Sequence, residues 1–389
     1  MTNVKHIIGW AIAGMAIGNA AYGAEGAAVA STPPSMYVTT GAASTIIGGE
    51  FRAEFLYDDH GVNKQTGYKP DTTTTIGVSN ASLLLGGNFN AKTEYAFRFN
   101  LLNPTTTPLD YGYATHWFTK TFGFSIGKER ILQGGWDHLD QGYRTHAEGF
   151  YAQNLAMKDF DSMAALHLRA AGLVSLQLVN DVKAVSSSTN PAVSGRWNQA
   201  AHPTVVLGWL GEFGPIRPLV DFGSYDNNKS RWVDIGLKAQ LNGLHGTLDY
   251  HNDSNAYRVP VSGSADKKVA DVKTAYTVNV SYEIHNVVTP WLYYSNYDNK
   301  QASDASAGLS NRKYNTTVPS ASAAGGSTYT WDDNGVVWGT GVDINSLGKN
   351  WNPFLAFVSQ TGKFKKDSVD ASTEKRTQNT VKLGILGQI

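Results

Sequence analysis

Three features of the sequence predict an all-β fold, a transmembrane antiparallel up-and-down β-barrel of about sixteen strands. Segments in which apolar and polar residues alternate recur along the whole chain. Short turns and long polar connections follow each other in a regular order. Charged residues make up 16% of the chain, below the roughly 25% of soluble domains. After residue 24, no stretch approaches the ~18 consecutive apolar residues of a membrane-spanning helix.

Residues 47–57 form the predicted opening strand. Phe51 and Phe55 lie on its apolar face. The charged residues of the opposite face are Glu50, Arg52 and Glu54. Because side chains of a strand point to alternate sides, one face is expected to meet lipid and the other a water-filled lumen.

Seven predicted hairpins follow the opening strand. Their strands are 76–87 and 93–102, 111–119 and 122–128, 163–169 and 173–180, 205–210 and 216–222, 231–241 and 244–251, 276–284 and 288–297, and 336–344 and 351–360. Asn242-Gly243 is a dipeptide that favours a tight hairpin turn. With a closing strand at 379–389 the prediction is about 16 strands, and 14 or 18 are the alternatives because two regions, 147–180 and 330–344, have soft bounds.

The closing strand is amphipathic. Leu383, Ile385 and Ile389 share one face, and Lys382 lies on the other. Such a strand suits a barrel that closes on itself in lipid, where no sheet edge stays open. An ordinary amphipathic strand is the alternative explanation.

The amino-terminal residues 1–23 have the layout of a secretory signal peptide. Lys5 precedes a short apolar run, and small residues follow up to the expected cleavage after Gly23, with cleavage after Ala30 as the weaker alternative. Residues 24–44 are then a periplasmic lead-in, and residues 45–389 form the barrel as one domain.

The long polar connections all fall between hairpins. They are 58–73, 103–110, 129–162, 181–203, 253–270, 298–330 and 361–376. This order predicts short turns on one rim of the barrel and long loops on the other. A soluble β-sandwich has no physical reason to sort its connections by length.

Composition excludes several classes of function. The chain has no cysteine, so it is not a disulfide scaffold, a zinc ribbon or a thiol enzyme. Its 32 basic and 32 acidic residues leave no basic excess for nucleic acid. No nucleophile and base are convincingly paired, which predicts a protein that is not an enzyme and needs no cofactor. His138 and His146, with Asp137 and Asp140 nearby, lack helical spacing and predict no metal site.

The signal peptide, the strand count, the sorted connections and the terminal strand together resemble the general porins of Gram-negative outer membranes. The resemblance implies an outer-membrane location among lipids, a homotrimer, and a third external loop, here 129–162, folded into the lumen. It also implies that the barrel-assembly machinery reads the last strand. That family usually ends in an aromatic residue, and Ile389 departs from this pattern.

The function implied by the resemblance is passive diffusion of small hydrophilic solutes and ions. The expected constriction-loop residues are Glu129, Arg130, Asp137, Asp140, Arg144 and Glu148. The expected pore-lining residues of the wall are Glu50, Arg52, Glu54, Glu94, Arg98, Arg169, Arg217, Asp234, Lys238, Asp249, Glu283 and Lys382. Acidic loop residues opposite basic wall residues would create a transverse field, with a weak preference for cations.

Two alternatives accompany this interpretation. Each wall residue is also explained as a hydrated side chain or a rim ion pair worth under ~1 kcal/mol. The whole barrel is also explained as a narrow or plugged surface protein with a structural or adhesive role. The outward aromatic residues predict an interfacial girdle, and they are Tyr57, Tyr95, Tyr250, Tyr276, Tyr282 and Trp351.

Overall fold

The structure is a computed structural model that describes most of the barrel. The described residues are 36–40, 43–59, 72–102, 108–139, 146–147, 160–180, 203–225, 230–259, 267–301, 329–345, 350–366 and 373–388. The predicted signal peptide and Ile389 lie outside them.

The described residues form strands and one short helix. The first half of the chain contains β1 (Met36–Thr40), β2 (Ala43–Asp59), β3 (Thr73–Asn90), β4 (Thr93–Asn100), β5 (Leu109–Trp117), β6 (Phe122–Arg130), α1 (Gly135–Leu139), β7 (Phe160–Arg169) and β8 (Gly172–Val179). The second half contains β9 (Thr204–Gly211), β10 (Ile216–Tyr225), β11 (Ser230–Leu241), β12 (Leu244–Val259), β13 (Lys267–Tyr282), β14 (Val288–Gln301), β15 (Tyr329–Ile344), β16 (Trp351–Lys366) and β17 (Thr373–Gln388).

Strands β2 to β17 close into a single antiparallel barrel. Each pairs with its neighbours in the chain, and β17 pairs with β2 from Asn379 opposite Asp59 to Gln388 opposite Glu50. The prediction of a closed sixteen-strand barrel is therefore confirmed. The additional strand β1 lies within the predicted lead-in and pairs with the first residues of β2, Met36 opposite Ile47.

The short turns follow the sequence signals. Asn242 and Gly243 have φ angles of 48° and 82°, the left-handed conformation that two-residue hairpins require. His285 and Asn286 adopt the same region, with φ angles of 50° and 56°. Asparagine and histidine tolerate this conformation better than other non-glycine residues.

The barrel is taller on one side. Strands β12 to β17 contain 14 to 16 residues, whereas β4 to β11 contain 8 to 12. The predicted connections 253–270, 298–330 and 361–376 were therefore too long, because the strands continue into them. These strand ends are rich in polar residues, so the alternation of apolar and polar residues does not reveal them.

The outer surface is apolar. Large hydrophobic side chains on the outward faces remain exposed in the isolated chain, as expected of a surface that meets lipid. They include Ile76, Ile126, Leu168, Leu178, Leu207, Ile235, Leu248, Leu292, Leu355 and Leu383. Among the described residues, no helix is long and apolar enough to cross a membrane.

The predicted aromatic girdle is on the outer surface. Tyr57, Tyr276, Tyr282 and Trp351 are exposed, whereas Tyr95 and Tyr250 are half-buried. Tyr95 is held by a hydrogen bond of 2.6 Å between its hydroxyl and that of Thr45.

The interior departs from the expectation that inward faces are charged and aromatic residues face outward. Two buried apolar clusters lie inside the barrel. The first contains Trp117, Ile131, Leu132, Trp136, Leu139, Met163, Leu173, Val179, Val206, Leu210, Leu219 and Trp232. The second contains Ala147, Ala275, Trp291, Tyr293, Tyr297, Val337, Phe354, Ala356, Val358 and Leu386. Both clusters combine wall residues with residues of the connection between β6 and β7.

Candidate constriction and pore lining

The connection between β6 and β7 starts later than predicted. Strand β6 continues through Arg130, so Glu129 and Arg130 belong to the wall and not to the loop. The guanidinium of Arg130 donates hydrogen bonds of 2.8 and 2.7 Å to the carbonyl oxygens of Leu139 and His138. These are the last carbonyls of α1, which need donors because the helix ends there. The end of β6 therefore fixes the helix inside the barrel.

Apolar side chains attach the first part of the connection to the wall. Ile131, Leu132 and Leu139 are at most 4% exposed. They belong to the same buried cluster as the inward-facing Leu219 and Trp232 of β10 and β11. Burying large apolar side chains stabilises by about 1.5–3 kcal/mol each, so this segment, 131–139, packs as a core within the lumen.

Carboxylates of the wall bind the backbone of the same segment. Asp234 accepts a hydrogen bond of 2.5 Å from the Gly134 amide. Asp249 accepts two bonds of 2.8 Å, from the amides of Trp136 and Asp137. Hydrogen bonds from backbone N–H groups to an ionised carboxylate are among the strong ones in proteins. Asp234 and Asp249 are therefore loop anchors rather than solvent-facing pore residues.

Wall glycines make room for the loop side chains. A Cβ at Gly208 would lie much closer than 3.0 Å to Leu132, and a Cβ at Gly236 would lie 2.8 Å from Trp136. The indole of Trp136 also donates a hydrogen bond of 3.0 Å to the backbone carbonyl of Arg217. Segment 131–139 therefore rests directly on the backbone of β9 to β11.

A second anchor lies at residues 146–147. The ring of His146 stacks on Trp291, with centroids 5.4 Å apart, and packs against Phe354 at 4.2 Å. Its Nε2 lies 2.7 Å from Asp343, and Lys382 donates a bond of 2.8 Å to its carbonyl oxygen. Burial lowers the pKa of His146, although the hydrogen bond to Asp343 acts in the opposite direction.

The two anchors lie on different parts of the wall. Segment 131–139 contacts mainly β8 to β12, with one hydrogen bond to Tyr293 of β14, and residues 146–147 contact β14 to β17. Both contact sets consist of inward-facing residues. The described parts of the third long connection therefore lie inside the barrel and narrow its lumen.

The electrostatic arrangement differs from the expected one. Segment 131–139 binds the acidic wall residues Asp234 and Asp249, and its own Asp137 accepts a hydrogen bond of 3.0 Å from Tyr293. Asp140, Arg144 and Glu148 lie outside the described residues. The prediction of an acidic loop opposite a basic wall is thus not what segment 131–139 presents.

Basic and acidic residues pair along β2, β4 and β5. Arg52 donates two hydrogen bonds, of 3.0 and 2.8 Å, to Glu54. Arg98 lies 3.1 Å from Glu50 and 3.4 Å from Asp110. The predicted wall residues among them, Glu50, Arg52, Glu54 and Arg98, face the interior, and their charges are balanced locally.

Arg169 lies near the short-turn rim. Its guanidinium is 3.5 Å from the centre of the Trp117 ring, a close cation–π contact. The Trp117 indole donates to Glu94, and Arg169 lies 3.9 Å from the same carboxylate. These three residues therefore form one contact group on the inner wall.

The remaining predicted wall residues differ in position. Arg217, Lys238 and Lys382 face inward and are half-buried. Glu283 lies one residue beyond the end of β13 at the short-turn rim, where it is half-buried and its amide donates a hydrogen bond of 2.8 Å to the carbonyl of Gly243.

A row of polar side chains on β6 to β8 was not predicted. Ser125 donates a hydrogen bond of 2.7 Å to Glu129. His167 lies 2.8 Å from Ser125 and 2.9 Å from Ser175. All four side chains are at most 1% exposed, so they form a buried hydrogen-bonded network. The one sign of this network in the sequence was the alternation pattern, which placed His167 on the inward face of its strand.

Among the described residues, no group of three or more histidine, aspartate or glutamate side chains could hold a metal ion. The described part of the chain therefore offers positioning groups and charges rather than a metal centre.

Solved structures resemble this barrel. OmpT, an outer-membrane protein of Vibrio cholerae, aligns with a TM-score of 0.57 at 12% identity, covering 91% of this chain and all of the other. An anion-selective porin from Comamonas acidovorans gives 0.55 at 12% identity, over 89% of this chain and all of the other. This chain has the porin fold.

A further relative by structure is the outer membrane channel DcaP of Acinetobacter baumannii. It gives a TM-score of 0.55 at 12% identity, covering 89% of this chain and 98% of the other. No protein-family model and no curated sequence matches the chain. The likeness is therefore one of fold, and together with the apolar outer surface it supports the predicted location in the outer membrane.

Proposed function

We propose that this porin-fold protein is an outer-membrane channel for the passive diffusion of small hydrophilic solutes and ions. One observation carries the proposal: the closed sixteen-strand barrel holds its third long connection against the inner wall. A barrel of this size is wide enough for an aqueous channel. An anchored inner segment narrows such a channel without requiring a separate plug domain.

Half-buried charged residues inside the barrel support a wet path. Arg217, Lys238 and Lys382 keep contact with solvent, and charged side chains are stable in such positions only where water reaches them. The chain is not proposed to be an enzyme, because the buried Ser125, His167 and Glu129 row is closed to substrates. The solved neighbours named as porin and channel support this role.

The second candidate is a narrow or plugged surface barrel with a structural or adhesive role. The buried apolar clusters inside the barrel favour it, because loop and wall fill part of the lumen with tightly packed side chains. In that case, segment 131–139 would be the core of a plug.

A homotrimer is part of the proposal. One similar solved structure, at a TM-score of 0.57 and 11% identity, is described as a trimer form. We also propose that the barrel-assembly machinery reads β17, whose outward face carries Leu383 and Ile385.

Single-channel recording separates the two candidates. The mature chain is refolded, its closed barrel is checked by heat-dependent gel mobility, and it is inserted into a planar bilayer in KCl. The proposal predicts stepwise conductance that closes in groups of three. A folded and inserted barrel that conducts no current would exclude the diffusion channel and favour the plugged surface barrel.

A further inference from the structure

Strands β12 to β16 each carry an aromatic residue at the same distance from the short-turn rim. Counted from the strand end at that rim, it lies six residues along the strand. Strand end and aromatic residue are Leu244 and Tyr250, Tyr282 and Tyr276, Val288 and Tyr294, Ile344 and Trp338, and Trp351 and Phe357. All five aromatic side chains are exposed or half-buried on the outer face, and we call these five residues the upper aromatic belt.

The belt consists of two groups of contacting rings on neighbouring strands. Tyr250 lies directly opposite Tyr276, with ring centroids 5.1 Å apart. Tyr294 lies directly opposite Trp338, whose ring centroid is 5.1 Å from that of Phe357. Tyrosine and tryptophan combine an apolar body with a polar tip, so in membrane proteins they concentrate at the boundary between hydrocarbon and headgroups. The belt therefore marks such a boundary on this part of the barrel.

The outward surface becomes polar directly above the belt, on the side of the long loops. The next outward residues on four of the five strands are Asn252, Thr274, Asn296 and Ser359, and on β15 the residue is Val336. The side-chain nitrogen of Asn252 lies 3.5 Å from the Tyr250 hydroxyl, so the polar tip of this ring points away from the short-turn rim. The boundary is therefore the outer one, toward the long loops.

Between the belt and the short-turn rim the outward surface is apolar. Val278, Leu292 and Leu355 are 37%, 63% and 48% exposed. At the rim itself, β13 and β16 end in the exposed aromatic residues Tyr282 and Trp351. The apolar zone of β12 to β16 is thus bounded by the belt on one side and by the short-turn rim on the other.

This zone is thin. Six residues of an extended strand cover about 20 Å, and at the usual strand tilt of about 40° this amounts to about 15 Å along the membrane normal. The apolar band of outer-membrane barrels is about 25 Å tall. Strands β12 to β16 therefore match a hydrocarbon core that is about 10 Å thinner than usual.

Strand β2 shows that the thin zone is confined to one arc of the barrel. Its outward residues stay apolar from Ile47 to Tyr57, a distance of ten residues, which corresponds to about 25 Å along the membrane normal at the same tilt. The next outward residue is Asp59. One side of the barrel therefore fits a bilayer of ordinary thickness, and the side formed by β12 to β16 does not.

A bilayer of ordinary thickness would bring hydrocarbon against the polar residues above the belt. Burying an amide or a hydroxyl in hydrocarbon without a hydrogen-bond partner is unfavourable. A short apolar surface is accommodated by thinning of the bilayer, by flanking side chains that reach the headgroups, or by oligomerisation. The side chains of Asn252 and Asn296 are too short to reach headgroups about 10 Å away. Where this arc faces lipid, thinning is therefore the response that fits its residues.

We propose that β12 to β16 thin the membrane locally, to a hydrocarbon core about 15 Å thick, and that the polar residues directly above the belt contact lipid headgroups. The partner of this surface is thus a lipid bilayer whose headgroups lie at the level of the belt. The inference goes beyond the proposed channel function and does not depend on it, because it concerns the outer face of an open or a plugged barrel alike.

The chain has no cysteine, so single nitroxide labels can locate the boundary. Leu292→Cys and Asn296→Cys are labelled, and the barrels are refolded into dioleoylphosphatidylcholine liposomes. Collisions of the label with oxygen, which concentrates in hydrocarbon, are compared with collisions with a nickel chelate that stays in water. We expect oxygen to dominate at residue 292 and the nickel chelate to dominate at residue 296.

Phe55→Cys on β2 is the matched control. Phe55 lies eight residues from Ile47, and Asn296 lies eight residues from Val288, so both labels are equally far from the start of their apolar runs. Oxygen should dominate at residue 55. If oxygen also dominates at residue 296, the thinning is overturned. A label at residue 292 that neither reagent reaches would overturn it as well, because a second polypeptide chain would then cover the arc.

Stability in bilayers of different thickness is the second measurement. The native barrel should unfold at a higher urea concentration in dilauroylphosphatidylcholine than in the longer-chain dioleoyl lipid. Asn296→Leu extends the apolar zone upward and should narrow this difference. Asn279→Leu is the same change on the inner face, opposite Thr247 and Tyr293, and should leave the difference as it is. Equal midpoints of the native barrel in both lipids would contradict the proposal, whereas a lack of conductance would refute only the channel function.

Discussion

Gly208 on β9 faces Leu132 of segment 131–139, the constriction segment, so closely that no side chain fits between them. The contact joins a wall position to a loop position 76 residues earlier in the sequence. The Leu132 side chain occupies the space that a Cβ on residue 208 would need. The wall is therefore complementary to one position of the loop. Several expected outcomes depend on such contacts.

Gly208→Ala should loosen the constriction segment. The added methyl group overlaps Leu132, and overpacking of this kind typically costs about 1–3 kcal/mol. We expect a lower midpoint in urea unfolding and noisier or larger single-channel currents. Gly77→Ala is the control, since a Cβ at Gly77 meets nothing within 4 Å. Equal effects of both substitutions would show that the loop contact is not the cause.

Asp249→Asn should weaken the anchor of α1. The carboxylate accepts two amide hydrogens with its two oxygens, whereas an amide keeps a single acceptor oxygen. Leaving a buried donor unsatisfied costs about 1–3 kcal/mol. The measurement is the rate at which an added protease cleaves the connection in the folded barrel, which should rise. Asp161→Asn, at a half-buried position of β7, should leave that rate unchanged.

Acidification should release the second anchor. His146 has a lowered pKa in the folded barrel because it is buried. Below the ordinary histidine pKa of about 6.5, a His146 side chain exposed to water therefore binds more protons than one packed against Trp291 and Phe354. The packed position of His146 is fully stable above about pH 6.5, and its stability declines as the pH falls toward the lowered pKa. The charged groups facing the ring are Asp343, Arg52 and Lys382.

The measurement is the fluorescence of Trp291, which stacks on His146. The pH is lowered from about 7.5 to about 5, a range that lies above the ordinary pKa values of carboxyl groups. The signal should change in this window in the native barrel and stay flat in His146→Gln. A change of the same size in the variant would assign the titration to another group.

The lipid-facing surface can be tested with adjacent residues of β12. Leu248 is 52% exposed on the outer face, and the preceding residue, Thr247, faces the lumen. Leu248→Arg should destabilise the folded barrel in liposomes by up to about 2–4 kcal/mol, the cost near the bilayer midplane. Thr247→Arg should cost much less, because its side chain enters a hydrated lumen. Reversed costs would mean that the faces are assigned the wrong way round.

The sequence was sufficient to predict all sixteen barrel strands, because the outer faces must be apolar and the strands alternate with a period of two. The hairpin at Asn242-Gly243 and the one at His285-Asn286 were recognisable from their residues alone. Strand ends were harder to predict: β6 includes Glu129 and Arg130, since a charged residue inside a barrel looks the same as one in a loop.

The inner apolar clusters were not predictable in the same way. In β8, Leu173 and Val179 face inward while Leu176 and Leu178 face outward, so apolar residues occupy both faces and alternation carries little information. The contact between Asp249 and the amide of Trp136 joins residues 113 positions apart. Only the closed barrel brings them together, and no local pattern encodes that distance.

The pairing of β17 with β2 has a consequence for how the barrel forms. Thr380 and Asp58, joined by a hydrogen bond across this seam, are 322 residues apart. Until they meet, β2 and β17 both present open edges that lipid cannot satisfy. Contacts this distant in the chain form slowly, so we expect the seam to close late in assembly. A barrel without this pairing would expose two unpaired strand edges to lipid, so the seam decides whether a stable barrel exists at all.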